Sequence, residues 1–110
     1  MINEADFSAL GLSEEMLAAV QAKGFETPTS IQRLTIPRLL SGENDIIAQS
    51  QTGTGKTAAF GLPILQKIET SKEGVQSIIL VPTRELAVQA AEELLSYNRE
   101  RRLSITAIYG

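Results

Sequence analysis

The sequence predicts an α/β fold, a parallel sheet with flanking helices, entered through two helices. Three observations lead there. From residue 43 onward, short apolar runs alternate with helical patterns in the order strand–helix–strand–helix–strand, which implies right-handed crossovers. One of those runs, Ile78 to Val81, is continuous, as in a strand covered on both faces. Between the first run and the helix after it lies "AQSQTGTGKT", residues 48 to 57, the position a phosphate-binding loop requires.

The elements follow in order. "LSEEMLAAVQAKGF" predicts a helix with Ser13 as its cap and Glu14 and Glu15 in the first turn, where the helix dipole favours acid. Leu12, Met16 and Val20 form its apolar stripe, and Lys23-Gly24 is a stop signal. "TPTSIQRLTIPRLLSGEND" predicts a second helix, kinked or broken at Pro37 and ended by Gly42. "NDIIAQS" predicts a strand. "KTAAFGLPILQKIE" is helical and apolar almost all round, so it is expected to be buried on more than one side. "QSIILVPT" predicts a strand and "RELAVQAAEELLSYNRERR" a helix with stripes Leu86/Ala90/Leu94 and Ala87/Ala91/Leu95. "LSITAIYG" alternates and is β-branched, a further strand.

Composition narrows the chemistry. The 110 residues fit one domain or part of one. At 43% hydrophobic and 21% charged, the chain has the make-up of a globular domain. A net charge of −3 argues against an indiscriminate polyanion binder, although a local basic groove stays open. There is no cysteine and no histidine, which removes disulfides, thiolate metal sites and histidine-based catalysis. No apolar run reaches the roughly 20 residues that span a bilayer, and the N-terminus lacks a signal-peptide layout. A cytoplasmic protein is expected.

In the glycine stretch, Gly53 and Gly55 let the backbone turn tightly and aim successive N–H groups into one concavity. The following helix adds its positive end. Lys56 reaches the outer phosphates, and Thr57 offers a hydroxyl to Mg²⁺. The general pattern G-x-x-x-x-G-K-[ST] has glycine where this chain has Ser50.

Two further stretches flank the loop: "GFETPTSIQ", residues 24 to 32, and "PTRELA", residues 82 to 87. Together with "AQSQTGTGKT" they resemble the Q motif, motif I and motif Ia of the DEAD-box family of ATP-dependent RNA helicases. That family commonly has alanine or serine at the place of Ser50. Phe7, 17 positions before Gly24, matches the family's upstream aromatic. The resemblance runs from Phe7 to the C-terminus.

The resemblance implies a RecA-like P-loop NTPase fold. Residues 1–110 would be the N-terminal portion of the first such domain, with 1–42 a Q-motif helical region and 43–110 the strand–helix alternation carrying the loop. It implies ATP or ADP held by Phe25, Thr27, Gln32, Ser50, Gln51, Thr52, Gly53, Thr54, Gly55, Lys56 and Thr57. Lys56 and Thr57 would have catalytic roles, with Thr57 toward Mg²⁺. RNA backbone would lie on Pro82, Thr83 and Arg84, and a second RecA-like domain would be a partner. The family's D-E-A-D and S-A-T motifs are not in these residues, so an N-terminal piece of a longer helicase is expected, inactive alone.

Several residues read in two ways. Thr29-x-x-Gln32 is a capping box, and the Gln32 amide can also donate to adenine N7 while accepting from the 6-amino group. By resemblance Phe25 stacks on adenine, but a core phenylalanine at a helix end is equally expected; Phe7 is expected to pack behind the motif. Thr83-Arg84 can meet an RNA phosphate or form an ordinary strand–helix turn, with Glu85 holding Arg84. Arg99, Arg101 and Arg102 fit a solvated helix end. Two other functions stay open: an adenine-nucleotide module without turnover, and another phosphate-loop enzyme, although no N-K-x-D guanine reader is present.

Overall fold

The computed structural model describes residues 6–42, 45–49, 55–98 and 103–110. A 3₁₀ turn, Phe7–Leu10, leads into α1, Glu14–Ala22; then come α2, Ser30–Ser41, α3, Lys56–Lys67, and α4, Arg84–Tyr97. Helices α1, α2 and α4 each start at a side-chain cap. Ser13 Oγ accepts from Met16 N on α1, Thr83 Oγ1 accepts from Leu86 N on α4, and α2 opens with the Thr29/Gln32 capping box. Gly42 ends α2 in the left-handed region at φ 88°.

The core is helical. Met16, Ala19 and Val20 of α1, Ile36 of α2, Ala58, Leu62 and Leu65 of α3, and Leu94 and Tyr97 of α4 close around Phe7, Leu10 and Leu12. α3 is the central helix and packs mainly on α2 and α4, as its all-round apolarity demands. Its Gln66 reaches the loop before α1: Oε1 accepts from Ser13 N at 2.8 Å, and Nε2 donates to Gly11 O at 3.3 Å. No helix among the described residues is long and apolar enough to cross a membrane.

Three expectations need correction. First, no strand forms among the described residues, so the parallel sheet is not present there. Segments 45–49, 75–81 and 103–110 are neither helical nor laddered. Their burial nevertheless alternates as a strand's would: Ile79, Leu103 and Ile105 lean on the helical core, while Ile47, Ile78, Leu80 and Ile108 are exposed. One face has helices to pack against, but a ladder also needs neighbours in register, and none is supplied here.

Second, α2 is continuous through Pro37. Proline removes the N–H that would serve the Arg33 carbonyl, and Arg33 lies on the exposed side of the helix, where water can take that bond. Third, α4 ends at Tyr97 rather than at the arginine cluster, of which residues 99–102 lie outside the described residues. Leu94 is buried, while Leu86 and Leu95 are exposed, so the helix faces the core through Leu94 and Tyr97.

α3 and α4 approach closely at Gly61, where an added Cβ would lie 2.5 Å from Leu94 Cδ2. Alanine would gain about 1 kcal/mol in helix propensity, against an overpacking cost of about 1–3 kcal/mol. Gly61→Ala is therefore expected to lower the melting temperature of the full gene product. A rise would mean that Leu94 swings aside without cost.

Candidate functional site

Residues 24 to 32 are placed by two helix ends. Gly24, at φ 82°, follows α1. Its N–H donates to Gln21 O at 2.9 Å, and Phe25 N–H donates to Val20 O at 3.2 Å. This pair of bonds is the Schellman arrangement, which needs the left-handed glycine and puts the next residue, Phe25, back over the helix. The Phe25 ring stacks on Phe7, centroids 6.4 Å apart, and tilts against Tyr97 at 6.5 Å. Phe25 is half-buried, Pro28 is buried and Thr27 is exposed. Phe7 packs behind the motif, 4% exposed.

Tyr97 anchors that cluster from α4. It is fully buried, and its hydroxyl donates to Glu93 Oε2 at 2.9 Å. Burial first, then the Glu93 hydrogen bond and charge, push the phenol well above its usual range, so it stays neutral. The Lys23 ammonium sits 5.5 Å from the ring centroid. Sequence reading passed over Tyr97; the available signal was an aromatic one turn after Glu93 and three residues after Leu94.

The second helix end joins the two motifs. Gln32 Oε1 accepts from Thr29 N at 2.9 Å, closing the capping box, and Gln32 Nε2 donates to Gly55 O at 3.2 Å. The Gly55 carbonyl also accepts the first α3 bond, from Ala59 N at 3.1 Å. Gly55 has φ 84°, and a Cβ there would lie 2.4 Å from Gln32 Nε2. Only glycine satisfies both demands: a left-handed backbone, and an amide against the place of the missing side chain.

Gly55 provides no side-chain cap for α3, whereas α1, α2 and α4 each have one. The first N–H groups of α3 thus meet no side-chain acceptor among the described residues, and such a positive helix end favours an anion. Lys56, the first residue of α3, is exposed, and Thr57 is half-buried beside it. Ser50, Gln51, Thr52, Gly53 and Thr54 lie outside the described residues. No group of three or more acidic, histidine or cysteine residues that could hold a metal ion occurs among the described residues.

The third stretch begins α4. Pro82, Thr83 and Arg84 are exposed, and Thr83 caps the helix. Glu85 does not hold Arg84. Instead, Arg84 Nη2 donates to Gly110 O at 2.6 Å, and the guanidinium carbon stands 4.9 Å from the centroid of the Tyr109 ring.

Comparison with known proteins bears on these three stretches together. The model of the DEAD/DEAH box helicase family matches residues 29–110. A DEAD-box ATP-dependent RNA helicase, CshA of Bacillus cereus, is 56% identical over 104 residues, covering 94% of this chain and 20% of that protein. The chain thus spans about a fifth of the length of such curated relatives. Among solved structures, a DEAD box protein from Methanococcus jannaschii superposes with a TM-score of 0.91 at 46% identity, over 96% of this chain and 29% of that one. Dbp5 of S. cerevisiae, bound to RNA and ADP BeF3, gives 0.80 at 41% identity, over 84% and 24%.

Gly42 and Gly55 both have left-handed backbones, but nothing lies within 4 Å of a Cβ added at Gly42. Gly42→Ala is expected to cost about 1–2 kcal/mol from backbone strain alone. Gly55→Ala should cost about 1 kcal/mol more, because Gln32 and its capping bond are displaced as well. Denaturant unfolding of both variants checks this; equal losses would mean that Gln32 is not held against Gly55.

Proposed function

The chain belongs to the DEAD/DEAH box helicase family, and from that premise we propose that it supplies the nucleotide cradle and one RNA contact of an ATP-dependent RNA helicase. On this reading, residues 1–110 are the N-terminal portion of the first RecA-like domain, with 1–42 the Q-motif region and 43–110 the part built around the phosphate loop. The apolar segments 45–49, 75–81 and 103–110 become strands of a parallel sheet completed by other parts of the longer protein. The exposed Ile47, Ile78, Leu80 and Ile108 support this, since large apolar side chains in strand-like alternation call for cover.

The observation that carries the reading is the Gln32–Gly55 hydrogen bond. A carboxamide has two acceptor lone pairs and two donor hydrogens. Thr29 N–H occupies one lone pair, and the Gly55 carbonyl takes one hydrogen. One of each is left, the complement of adenine's 6-amino group and N7. Guanine presents two acceptors there, so the same amide rejects it. The capping box and base reading are therefore compatible uses of one side chain. Phe25, fixed by its Schellman turn, offers a ring to the adenine face, and exposed Thr27 lies between the two.

The phosphates would lie on the open start of α3 and the residues before it, Ser50 to Thr54. Lys56 adds a point charge to the outer phosphates. Thr57 would hold Mg²⁺, which when bound would neutralise charge developing on the phosphates. At α4, Pro82 shapes the turn while Thr83, Arg84 and the first helix N–H groups meet an RNA phosphate, contacts that position RNA without reading its sequence. Hydrolysis also needs a carboxylate-held metal, an oriented water and cationic stabilisation. The family supplies these from its D-E-A-D motif and second RecA-like domain, so residues 1–110 alone bind nucleotide without turnover. The cytoplasm suits such an enzyme.

ADP and GDP titrations of the full gene product test the base reader. Gln32→Ala is expected to weaken ADP by about 5- to 150-fold, equivalent to about 1–3 kcal/mol, beyond a smaller loss shared with GDP from loosening the start of α3. Equal losses for both nucleotides would remove adenine reading from Gln32. Lys56→Ala should weaken both nucleotides and abolish RNA-stimulated phosphate release. Its melting temperature without nucleotide should barely move, since Lys56 is exposed. A large drop in melting temperature with nucleotide binding intact would make the lysine structural.

A further inference from the structure

We propose that Tyr109 is a positioning residue for Arg84, holding its guanidinium ready for an RNA phosphodiester; this rests on the reading of the α4 start given above. A free arginine on a surface samples many rotamers, and ordering it on a ligand costs side-chain entropy. Here the order is provided beforehand. Arg84 is exposed, yet it is gripped by residues 25 and 26 positions further along the chain: the Tyr109 ring, 4.9 Å from its guanidinium carbon, and the Gly110 carbonyl, 2.6 Å from Nη2.

The two contacts leave the ligand-binding capacity intact. Ring stacking uses the flat face of the guanidinium, whereas hydrogen bonds leave from its edge. Of the five N–H donors, the Gly110 bond takes one. The Tyr109 ring is uncharged, so its contact leaves the positive charge of Arg84 in place. An ion pair with Glu85 would instead have offset it, and the only exposed ion pair seen among the described residues is Lys72–Glu69, elsewhere. The fixed edge lies at the start of α4, beside the Thr83 hydroxyl and the helix N-terminus. A charge held against a neutral ring next to a positive helix end suits a phosphodiester.

The test uses the full gene product and a single-stranded oligouridylate, with binding followed by fluorescence anisotropy across a salt series. Arg84→Ala should weaken binding and flatten the log K against log salt slope by about 0.7, the value for one phosphate on a single strand. Tyr109→Ala should weaken binding by about two- to five-fold, the size of an exposed cation–π contact, and flatten the slope in the same direction. Tyr109→Phe keeps the ring and should bind as the parent does. In the Arg84→Ala background, Tyr109→Ala should add nothing.

If Tyr109→Ala retains its whole effect in that background, the ring touches RNA itself and the proposal is overturned. If Arg84→Ala weakens binding while Tyr109→Ala does not, the ring is a bystander and the proposal is likewise overturned. An Arg84→Ala variant with unchanged affinity and slope overturns both this proposal and the reading of the α4 start. Tyr109 is 54% exposed, so its replacement leaves the helical core untouched.

Discussion

The Gly55 carbonyl oxygen accepts two hydrogen bonds, from Ala59 N within α3 and from the Gln32 amide across the fold, and the site depends on that sharing. One bond begins α3, the helix that follows the glycine stretch. The other fixes the amide that closes the α2 cap. A candidate base reader and the start of a candidate phosphate cradle, 23 residues apart in sequence, are thus tied to one another by a single backbone atom. The arrangement requires glycine at 55, because the left-handed backbone and the approach of Gln32 each exclude a side chain. Displacing Gln32 would loosen the start of α2 and the setting of α3 together.

α4 extends this frame toward the RNA side. Its first residue is Arg84 and its last is Tyr97, buried against Phe25. At 1.5 Å per residue the helix is roughly 20 Å long, a rigid span between a candidate phosphodiester contact and a candidate adenine-stacking ring. Its inner end is firmly seated. Tyr97 is fully buried and neutral, its proton directed at Glu93, and α3 closes on α4 where Gly61 has no side chain to keep Leu94 away. A shift of α4 at the Arg84 end would therefore be felt at Phe25 through packed side chains.

The parts of the fold set by local chemistry were legible in the sequence. Ser13, Thr29, Thr83 and the stop glycines Gly24 and Gly42 act within a few residues of themselves, and the structure places the helix boundaries by them. The all-round apolarity of residues 56–67 correctly marked the central helix. Long-range contacts were not legible. Nothing in "TGTGKT" says that Gln32 will fill the space beside Gly55, nor in "PTRELA" that Arg84 will turn to Tyr109 rather than to neighbouring Glu85. The strands illustrate a different limit. Apolar alternation at Leu103 and Ile105 foretold which face leans on the helices, but ladder pairing depends on neighbours that a run of β-branched residues does not specify. At Pro37 a strong local breaker was overridden, because α2 packs on α3 and only one backbone bond was at stake.

The central claim is that one glutamine caps α2, ties the phosphate loop and reads the base at once. A crystal structure of the full gene product with ADP tests it most directly. Gln32 Nε2 is expected to stay within hydrogen-bonding distance of the Gly55 carbonyl, and Oε1 of Thr29 N, while the free edge of the amide pairs with adenine. Adenine bound away from Gln32, or a Gln32 side chain that leaves Gly55 to reach the base, would contradict it.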